Sequence, residues 1–269
     1  MLGIGTSFGS LTTQASASGN RFSYPTETNA YSVNFDGTND TSTQTSAASG
    51  VNSLTHELNG TNWSLQFYFK TATAGSLSNG FIFWKGPSFN KFFRMTVSGG
   101  GGDLGLLSGG VSGGGTGIST TFDTNCVANT WYHVILTSDG TGTNRLTKCY
   151  LDGSLVSTVS QSTIASSKEV VPSSGANTFA NLAGFLYYEY TIDQWATWSE
   201  ELSAAEVSEI YTNTPDLTQD AGDYVTSARL QRYYKMDEGS GTSLADSSGN
   251  NRTAITLVNG PTFQSNTPF

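Results

Sequence analysis

The chain has 269 residues, and its formal net charge at pH 7 is −9. Charged residues make up only 12% of it, whereas 36 Ser, 37 Thr, 19 Asn and 31 Gly supply much of the rest. Such a chain lacks the helix-forming residues of a mostly helical protein, and 12% aromatic residues are too many for a disordered one. The 12 scattered cations form no basic stripe and no apolar run approaches roughly 18 residues, so we expect neither nucleic-acid binding nor membrane insertion.

The first 29 residues are small and polar, a composition typical of a segment with no core of its own. We expect residues 1–29 to be an extended Gly/Ser/Thr-rich arm that needs contacts from elsewhere to become ordered. The arm either runs over its own domain or docks on a neighbouring subunit. Its isolated apolar residues are the expected assembly anchors: Leu2, Ile4, Phe8 and Leu11. The start of the chain also lacks the basic and apolar regions of a secretory signal, so we expect no signal peptide.

From Tyr31 onward, the hydrophobic pattern predicts β-strands. Apolar and polar residues alternate over Tyr31–Phe35, and four large apolar side chains share one face of Trp63–Phe69. The turn at Asp152 and Gly153 joins two strands in a hairpin. The remaining predicted strands are Phe81–Lys85, Phe89–Val97, Trp131–Thr137, Leu146–Leu151, Leu155–Val159, one or two within Phe179–Trp198, Tyr233–Met236 and Ala254–Val258.

A single helix is predicted, over Ser203–Asn213. Ser203 occupies the N-cap position, and Glu206 three residues later completes a capping box. The glycine-rich stretch Gly99–Gly117 lacks the lysine that ends a phosphate-binding loop, so we expect turning loops there. Many short strands and one short helix predict an all-β fold, an antiparallel sandwich of two sheets.

Large apolar residues on the predicted strands define the expected core. They are Trp63, Leu65, Phe67, Phe81, Trp131, Val134, Leu151 and Trp195. Removing a large buried side chain costs about 3–5 kcal/mol, and we expect a loss of this size for Trp131→Ala.

Residues that could carry catalysis are sparse. The densest acidic segment spans residues 189–206, where Glu200 and Glu201 are the candidates for the carboxylate pair that a glycosidase needs. Turn formation and helix capping explain the same carboxylates without catalysis. The two histidines stand alone in the sequence, so no zinc-like spacing exists. Cys126 and Cys149 either form a disulfide or remain two buried thiols.

Loop-tip carboxylates and aromatic rings are the candidate binding residues. Loop carboxylates supply the oxygen ligands that Ca²⁺ prefers, so calcium is the one cofactor that the sequence suggests, with turn formation as the alternative role. These carboxylates are Asp36, Asp40 and Asp103. Sugars present flat apolar faces to aromatic rings, which makes exposed rings the expected glycan contacts, with ordinary packing as the alternative. These rings are Tyr68, Trp84, Tyr187 and Tyr188.

Several segments, in order, resemble the laminin-G-like branch of the concanavalin A-like lectin/glucanase superfamily. They are Val33–Asp40, Trp63–Phe67, Asn129–Val134, Cys149–Val156, Ile192–Trp195 and Leu202–Val207. The resemblance covers about residues 31–213 and implies a jelly-roll sandwich, which we expect to occupy residues 30–269. Tyr233–Gly241 and Asp246–Asn250 look like the opening strand and loop of this family but follow the helix here. Residues 214–269 are therefore either a permuted strand segment or a small second subdomain.

The resemblance also carries implications for function. Glucanases of this superfamily have Glu-x-Asp-x-x-Glu on one strand; that pattern is absent around Asp193, whose family position is structural, so we expect no enzyme activity. The chain further resembles laminin-G-like proteins of tailed, especially marine, bacteriophages. This implies a virion protein, a head decoration or a tail-associated adhesin, assembled in the host cytoplasm and later extracellular. Its expected partners are other virion proteins and copies of itself, bound through the arm, and host-surface glycans. A glycan-degrading enzyme on the same fold and a secreted bacterial adhesin are the alternatives.

Overall fold

The structure is a computed structural model that describes residues 27–44, 62–71, 80–88, 91–98, 103–109, 118–123, 126–139, 146–160, 176–179 and 189–269. For β4 to β7 below, it describes the backbone alone. These residues form the strands β1 (Ser32–Asp36), β2 (Thr41–Thr43), β3 (Trp63–Thr71), β4 (Gly80–Ser88), β5 (Lys91–Ser98), β6 (Asp103–Gly109), β7 (Ile118–Asp123), β8 (Trp131–Ser138), β9 (Leu146–Leu151), β10 (Ser154–Ser160), β11 (Ala176–Phe179), β12 (Glu189–Trp198), β13 (Leu230–Tyr234), β14 (Ser243–Leu244), β15 (Ile255–Val258) and β16 (Thr262–Gln264). One α-helix, α1 (Ala204–Asn213), and a short 3-10 helix, Ser227–Arg229, complete the described elements.

A large antiparallel sheet forms one layer of the sandwich. Its strands follow the order β10-β9-β8-β3-β12-β1-β16, and β13 also pairs with β12. The strand β12 is central because it pairs with β3 on one side and with two different strands on the other. Residues 189–192 of β12 pair with β1, and residues 195–198 pair with β13.

A β-bulge in the middle of β12 separates these two pairings. Gln194 has a φ of 50°, and the register with β3 shifts between Asp193 and Ala196. An extra residue interrupts the alternation of side chains along a strand. As a result, Ile192 and Trp195 both point into the core between the sheets, whereas Ala196 packs on the opposite face.

The second layer consists of two smaller antiparallel sheets. One has the order β11-β4-β5-β6-β7, and the other has the order β14-β15-β2. Hydrogen bonds join them, because Phe179 N donates to Ser42 Oγ (3.0 Å) and Thr41 Oγ1 donates to Phe179 O (3.2 Å). The described chain is thus a sandwich of antiparallel sheets with one helix, as the sequence predicted.

The glycine-rich stretch Gly99–Gly117 contains a strand, so the expectation of loops throughout it was wrong. Residues 103–109 form β6, which pairs with β5 on one side and with β7 on the other. Pairing with a strand on each side gives the backbone N–H and C=O groups of this segment hydrogen-bond partners. This gain outweighs the weak preference of its glycines for a strand.

The core between the layers is built on stacked aromatic rings. Trp195 is fully buried; its ring stacks on Phe67 at a centroid distance of 5.6 Å and meets Phe179 edge-on at 5.1 Å. The predicted core residues that lie buried here are Trp63, Leu65, Phe67, Val134, Leu151 and Trp195. Phe81 lies on β4, where the side chain is outside the described part. Trp131 is only half-buried, at the start of β8.

The opposite face of the large sheet, which we call the outer face, carries a second apolar cluster. Val207 and Ile210 of α1 pack there against sheet residues that include Trp198. The predicted capping box is present, with Ser203 as the N-cap of α1. The Glu206 carboxylate also accepts a hydrogen bond from Thr226 Oγ1 (2.7 Å), which ties the helix to the following loop. No helix in the described residues is long and apolar enough to cross a membrane.

The segment after the helix is built into the same sheets as the earlier strands. In the large sheet, β13 pairs with β12 and β16 pairs with β1. In the second layer, β15 pairs with β2. The last strands of the chain therefore complete sheets that its first strands begin.

The two indole rings, Trp195 and Trp131, allow a matched test of the core. Trp195→Ala removes a fully buried ring, so we expect the free energy of unfolding to fall by about 3–5 kcal/mol. Because Trp131 is half-buried, the loss expected from the sequence for Trp131→Ala is too large, and a smaller loss should follow. Urea unfolding followed by far-ultraviolet circular dichroism measures both variants. Equal losses would contradict this placement of the two rings.

Candidate functional site

Four rings on the outer face of the large sheet contact one another in a continuous series, which we call the aromatic row. It consists of Tyr211, His133, Tyr68 and Phe269. The centroid distances between successive rings are 5.9, 4.1 and 5.3 Å. The first three rings are nearly parallel, with interplanar angles of 12° and 10°, whereas Phe269 meets Tyr68 edge-on at 88°.

Strand register and one glycine bring these rings together. Tyr68 on β3 is the direct cross-strand partner of His133 on β8. At the turn between β9 and β10, Gly153 has a φ of +75°, and a Cβ there would lie 2.8 Å from Tyr211 Cδ1. Glycine therefore serves both the left-handed turn and the close approach of the Tyr211 ring.

Exposure divides the row into a buried middle and two exposed ends. Tyr68 and His133 are 5% and 2% exposed, whereas Tyr211 and Phe269 are 42% and 44% exposed. The expectation that the Tyr68 ring is exposed was therefore wrong, because Phe269 and His133 pack against it. Its role as a glycan contact stays a prediction. Solvent meets the row at the two end rings, neither of which was among the residues chosen from the sequence.

The middle of the row is uncharged at neutral pH. Burial lowers the pKa of His133 to about 3, so its ring is neutral. Its Nε2 lies 3.3 Å from Gln66 Oε1; because a carbonyl oxygen only accepts, the Nε2–H donates. The backbone N of His133 donates to Asp152 Oδ1 (2.8 Å). Burial likewise raises the pKa of Tyr68.

The carboxylates proposed as calcium ligands take part in a turn. Asp36 Oδ1 accepts a hydrogen bond from Thr38 N (2.8 Å), and Asp40 Oδ2 accepts one from Asp36 N (3.0 Å). Burial raises the pKa of Asp40. Asp103 begins β6 in the second layer, where only the backbone is described. Within the described residues, no group of three or more His, Cys, Asp and Glu could hold a metal ion.

Other residues singled out from the sequence lie partly or wholly outside the described residues. Trp84 lies on β4, of which the backbone alone is described. Tyr187 and Tyr188 lie outside the described part, as do the expected assembly anchors Leu2, Ile4, Phe8 and Leu11. Of the arm, residues 27–29 are described. Glu27 and Asn29 contact their own chain, at Lys235 and Asp193.

The candidate catalytic carboxylates and the cysteines have structural surroundings. Glu201 forms an ion pair with Lys148 (2.8 Å), and Glu200 Oε1 accepts a hydrogen bond from Asn62 Nδ2 (3.2 Å). Within the described residues Cys126 and Cys149 are buried thiols that form no disulfide, and burial raises the pKa of Cys149. A buried neutral thiol is a poor nucleophile, so Cys149 adds no chemistry to the aromatic row.

Comparison with known proteins gives a family and a fold. The family model described as the concanavalin A-like lectin/glucanases superfamily matches residues 36–208, more than half of the chain. No curated protein matches the sequence.

Among solved structures, a Bacteroides ovatus protein described as a candidate carbohydrate-binding protein superposes with a TM-score of 0.60 at 16% identity. The match covers 88% of this chain and 60% of that one, so the chain spans less than two thirds of that protein. The binding domain of the Paraclostridial mosquitocidal protein 1 gives a TM-score of 0.44 at 12% identity, covering 56% of this chain and 37% of that one. A Limulus polyphemus SAP-like pentraxin gives 0.43 at 14% identity, covering 89% and 93%.

The buried state of His133 predicts how stability depends on pH. In the unfolded chain the imidazole of His133 binds a proton with a pKa of about 6.5, whereas in the folded protein its pKa is about 3. Acidification below about pH 6.5 therefore favours the unfolded state, by up to about 1.4 kcal/mol per pH unit. His133→Phe keeps a ring beside Tyr68 but binds no proton, so its free energy of unfolding should fall less steeply from about pH 7 to pH 4. Equal slopes would contradict the burial of a neutral His133.

Proposed function

This chain belongs to the concanavalin A-like lectin/glucanases superfamily, and from that premise we propose that it is a non-enzymatic glycan-binding protein. The aromatic row is the observation that carries the proposal. Tyr211 and Phe269 offer exposed ring surface on the outer face, and the rings beneath them fix their positions. Aromatic rings in fixed positions stack against the apolar faces of sugars without further ordering cost.

A neutral glycan fits this surface better than an acidic one. The middle of the row carries no charge at neutral pH, and the whole chain carries −9, which repels anionic ligands. Two described cations already have carboxylate partners, since Lys148 pairs with Glu201 and Lys235 pairs with Glu27. We therefore propose a neutral oligosaccharide as the ligand, bound across the two exposed rings.

The carboxylates of the described residues support binding without hydrolysis. A glycosidase needs two carboxyl groups facing one glycosidic bond. The Asp193 side chain lies on the outer-face side of β12 and is fully buried there. Asp152 accepts a hydrogen bond from the His133 backbone. Glu200 and Glu201 are held by Asn62 and Lys148. In the proposed role the protein therefore binds glycans and leaves them intact.

We propose further that the domain is displayed on a virion, as a head decoration or a tail-associated adhesin. The support for this role is the resemblance to laminin-G-like proteins of tailed bacteriophages. In this proposal, residues 1–26 dock on other virion proteins or on copies of the chain. The acidic domain then faces the outside of the particle. Residues 27–31 are bonded to their own domain, which gives the arm a fixed starting point.

Substitution of the exposed rings tests glycan binding. Tyr211→Ala and Phe269→Ala should each weaken binding of a neutral trisaccharide, such as cellotriose or laminaritriose, by about tenfold, because each removes one stacking surface. Val225→Ala is the matched control, since Val225 is also exposed but lies outside the aromatic row.

Isothermal titration calorimetry measures the affinities, with 3′-sialyllactose as the anionic comparison, and a reducing-end assay on the same mixtures detects hydrolysis. Unchanged affinity in both ring variants would contradict the proposed site. New reducing ends would contradict the non-enzymatic role.

Deletion of the arm tests the virion role. The deletion should remove residues 1–26 and keep residues 27–31, because the latter contact the domain. We expect the shortened protein to fold, with circular dichroism like that of the full chain, but not to co-sediment with particles that incorporate the full-length protein. Equal incorporation of both proteins would contradict docking through the arm.

A further inference from the structure

The segment that leads into β1 is held by polar contacts to parts of the chain far away in sequence. We call residues 27–31, together with the groups that bind them, the N-terminal clasp. Besides the bond to Asp193 described next, its contacts include Glu27 N to Thr214 O (2.7 Å), Glu27 Oε2 to Lys235 Nζ (2.9 Å), Asn29 Nδ2 to Lys235 O (3.5 Å), and Ala30 N and Tyr31 N to Asp237 Oδ1 (2.8 and 3.0 Å). All of these partners follow α1 in the sequence, so the clasp joins the start of the domain to its last part.

At the centre of the clasp, Asn29 meets a carboxyl group that is fully buried. Asn29 Nδ2 donates to Asp193 Oδ2 at 2.6 Å, and Asp193 has no solvent exposure. The two remaining polar atoms of this pair, Asn29 Oδ1 and Asp193 Oδ1, are both buried and lack a hydrogen-bond partner. An amide oxygen and an ionised carboxylate oxygen are both acceptors, so they cannot satisfy each other. A proton on Asp193 Oδ1 turns that oxygen into a donor, which can then bond to an acceptor such as Asn29 Oδ1.

We propose that Asp193 is a neutral carboxylic acid in the folded protein and closes a cyclic pair of hydrogen bonds with the side-chain amide of Asn29. In this pair the amide N–H donates to Asp193 Oδ2, and the carboxyl O–H donates to Asn29 Oδ1. Loss of the proton leaves a buried charge and two buried acceptors that lack a donor, which weakens the hold on residues 27–31. The strength of the N-terminal clasp therefore depends on pH. Residues 27–31 are held more strongly in acid, where Asp193 is protonated, than in alkali, where it is ionised.

The groups around Asp193 favour the neutral acid. Burial is the largest cause that raises the pKa of Asp193 well above its usual range, and the nearby carboxylates of Asp237 and Glu27 raise it further. The hydrogen bond from Asn29 and the adjacent backbone N–H of Gln194 act in the opposite direction, and each effect is smaller than that of burial. The other titratable groups that face it are Tyr68, opposite on β3, Tyr233 on β13, and Lys235, whose ammonium is already paired with Glu27.

The sign of the pH dependence follows from this raised pKa. In the unfolded chain Asp193 ionises near pH 3.9, whereas the folded protein holds its proton to a higher pH. The contribution of this group to stability is therefore complete in acid and is lost as the pH rises towards the folded pKa. This direction is opposite to that expected for His133.

Asp193→Asn is the direct test, because the new amide can make both hydrogen bonds at every pH. The variant should have the same thermal midpoint as the wild type at about pH 4 and a higher one at about pH 8. Glu201→Gln is the matched control, since it removes one carboxylate from a half-buried ion pair, and its difference from the wild type should not grow with pH in this way. A lower midpoint for Asp193→Asn at about pH 8 would overturn the proposal.

Carbon-13 NMR of the carboxyl groups in the wild-type protein tests the same proposal without relying on a variant's stability. The Asp193 signal should keep the chemical shift of a neutral acid at about pH 6, where exposed aspartates are ionised. The side-chain amide protons of Asn29 should report the cyclic pair and change in step with that titration. A carboxylate shift for Asp193 at about pH 5 would overturn the proposal. Neither readout involves a glycan, so this outcome is independent of the proposed function.

Discussion

The bulge at Gln194 in the central strand is the constraint on which the rest of the sandwich depends. A non-glycine residue at a φ of 50° is locally unfavourable, but here it moves Trp195 into the core beside Ile192. The same bulge divides β12 into a half that pairs with β1 and a half that pairs with β13. Burial of one complete indole ring and continuation of the sheet offset the cost of the unusual backbone.

Both sites on the outer face follow from this arrangement. In the register beside the bulge, Asp193 lies opposite Tyr68, and Tyr68 lies opposite His133. One row across the strands therefore runs from the buried carboxyl of the clasp to the rings of the aromatic row. The helix supplies Tyr211 at the far end of the row, and the left-handed Gly153 leaves space for that ring. The N-terminal clasp and the aromatic row are thus neighbours on the outer face.

Local sequence patterns predicted most of the fold but little of this face. Alternation and the capping box depend on residues close in sequence. They located β3, β8 and α1 correctly, and they placed one or two strands within the range that contains β12. β6 was missed because its glycines resemble those of a loop, and only pairing with β5 and β7 makes it a strand. Tyr68 was expected to be exposed because it lies on the polar face of β3. Its burial depends on Phe269, which is about 200 residues away and carries no local signal.

The outer face thus combines a rigid aromatic surface, with exposed rings at both ends, and a chain segment held by a buried acid. The most direct measurement of its role is chemical-shift mapping by NMR on the protein titrated with a neutral trisaccharide such as laminaritriose. Binding at the aromatic row predicts saturable shifts in the ring signals of Tyr211 and Phe269, with smaller shifts at His133 and Tyr68 beneath them. Saturable shifts confined to the second layer, with no change in the four rings, would contradict glycan binding at this face.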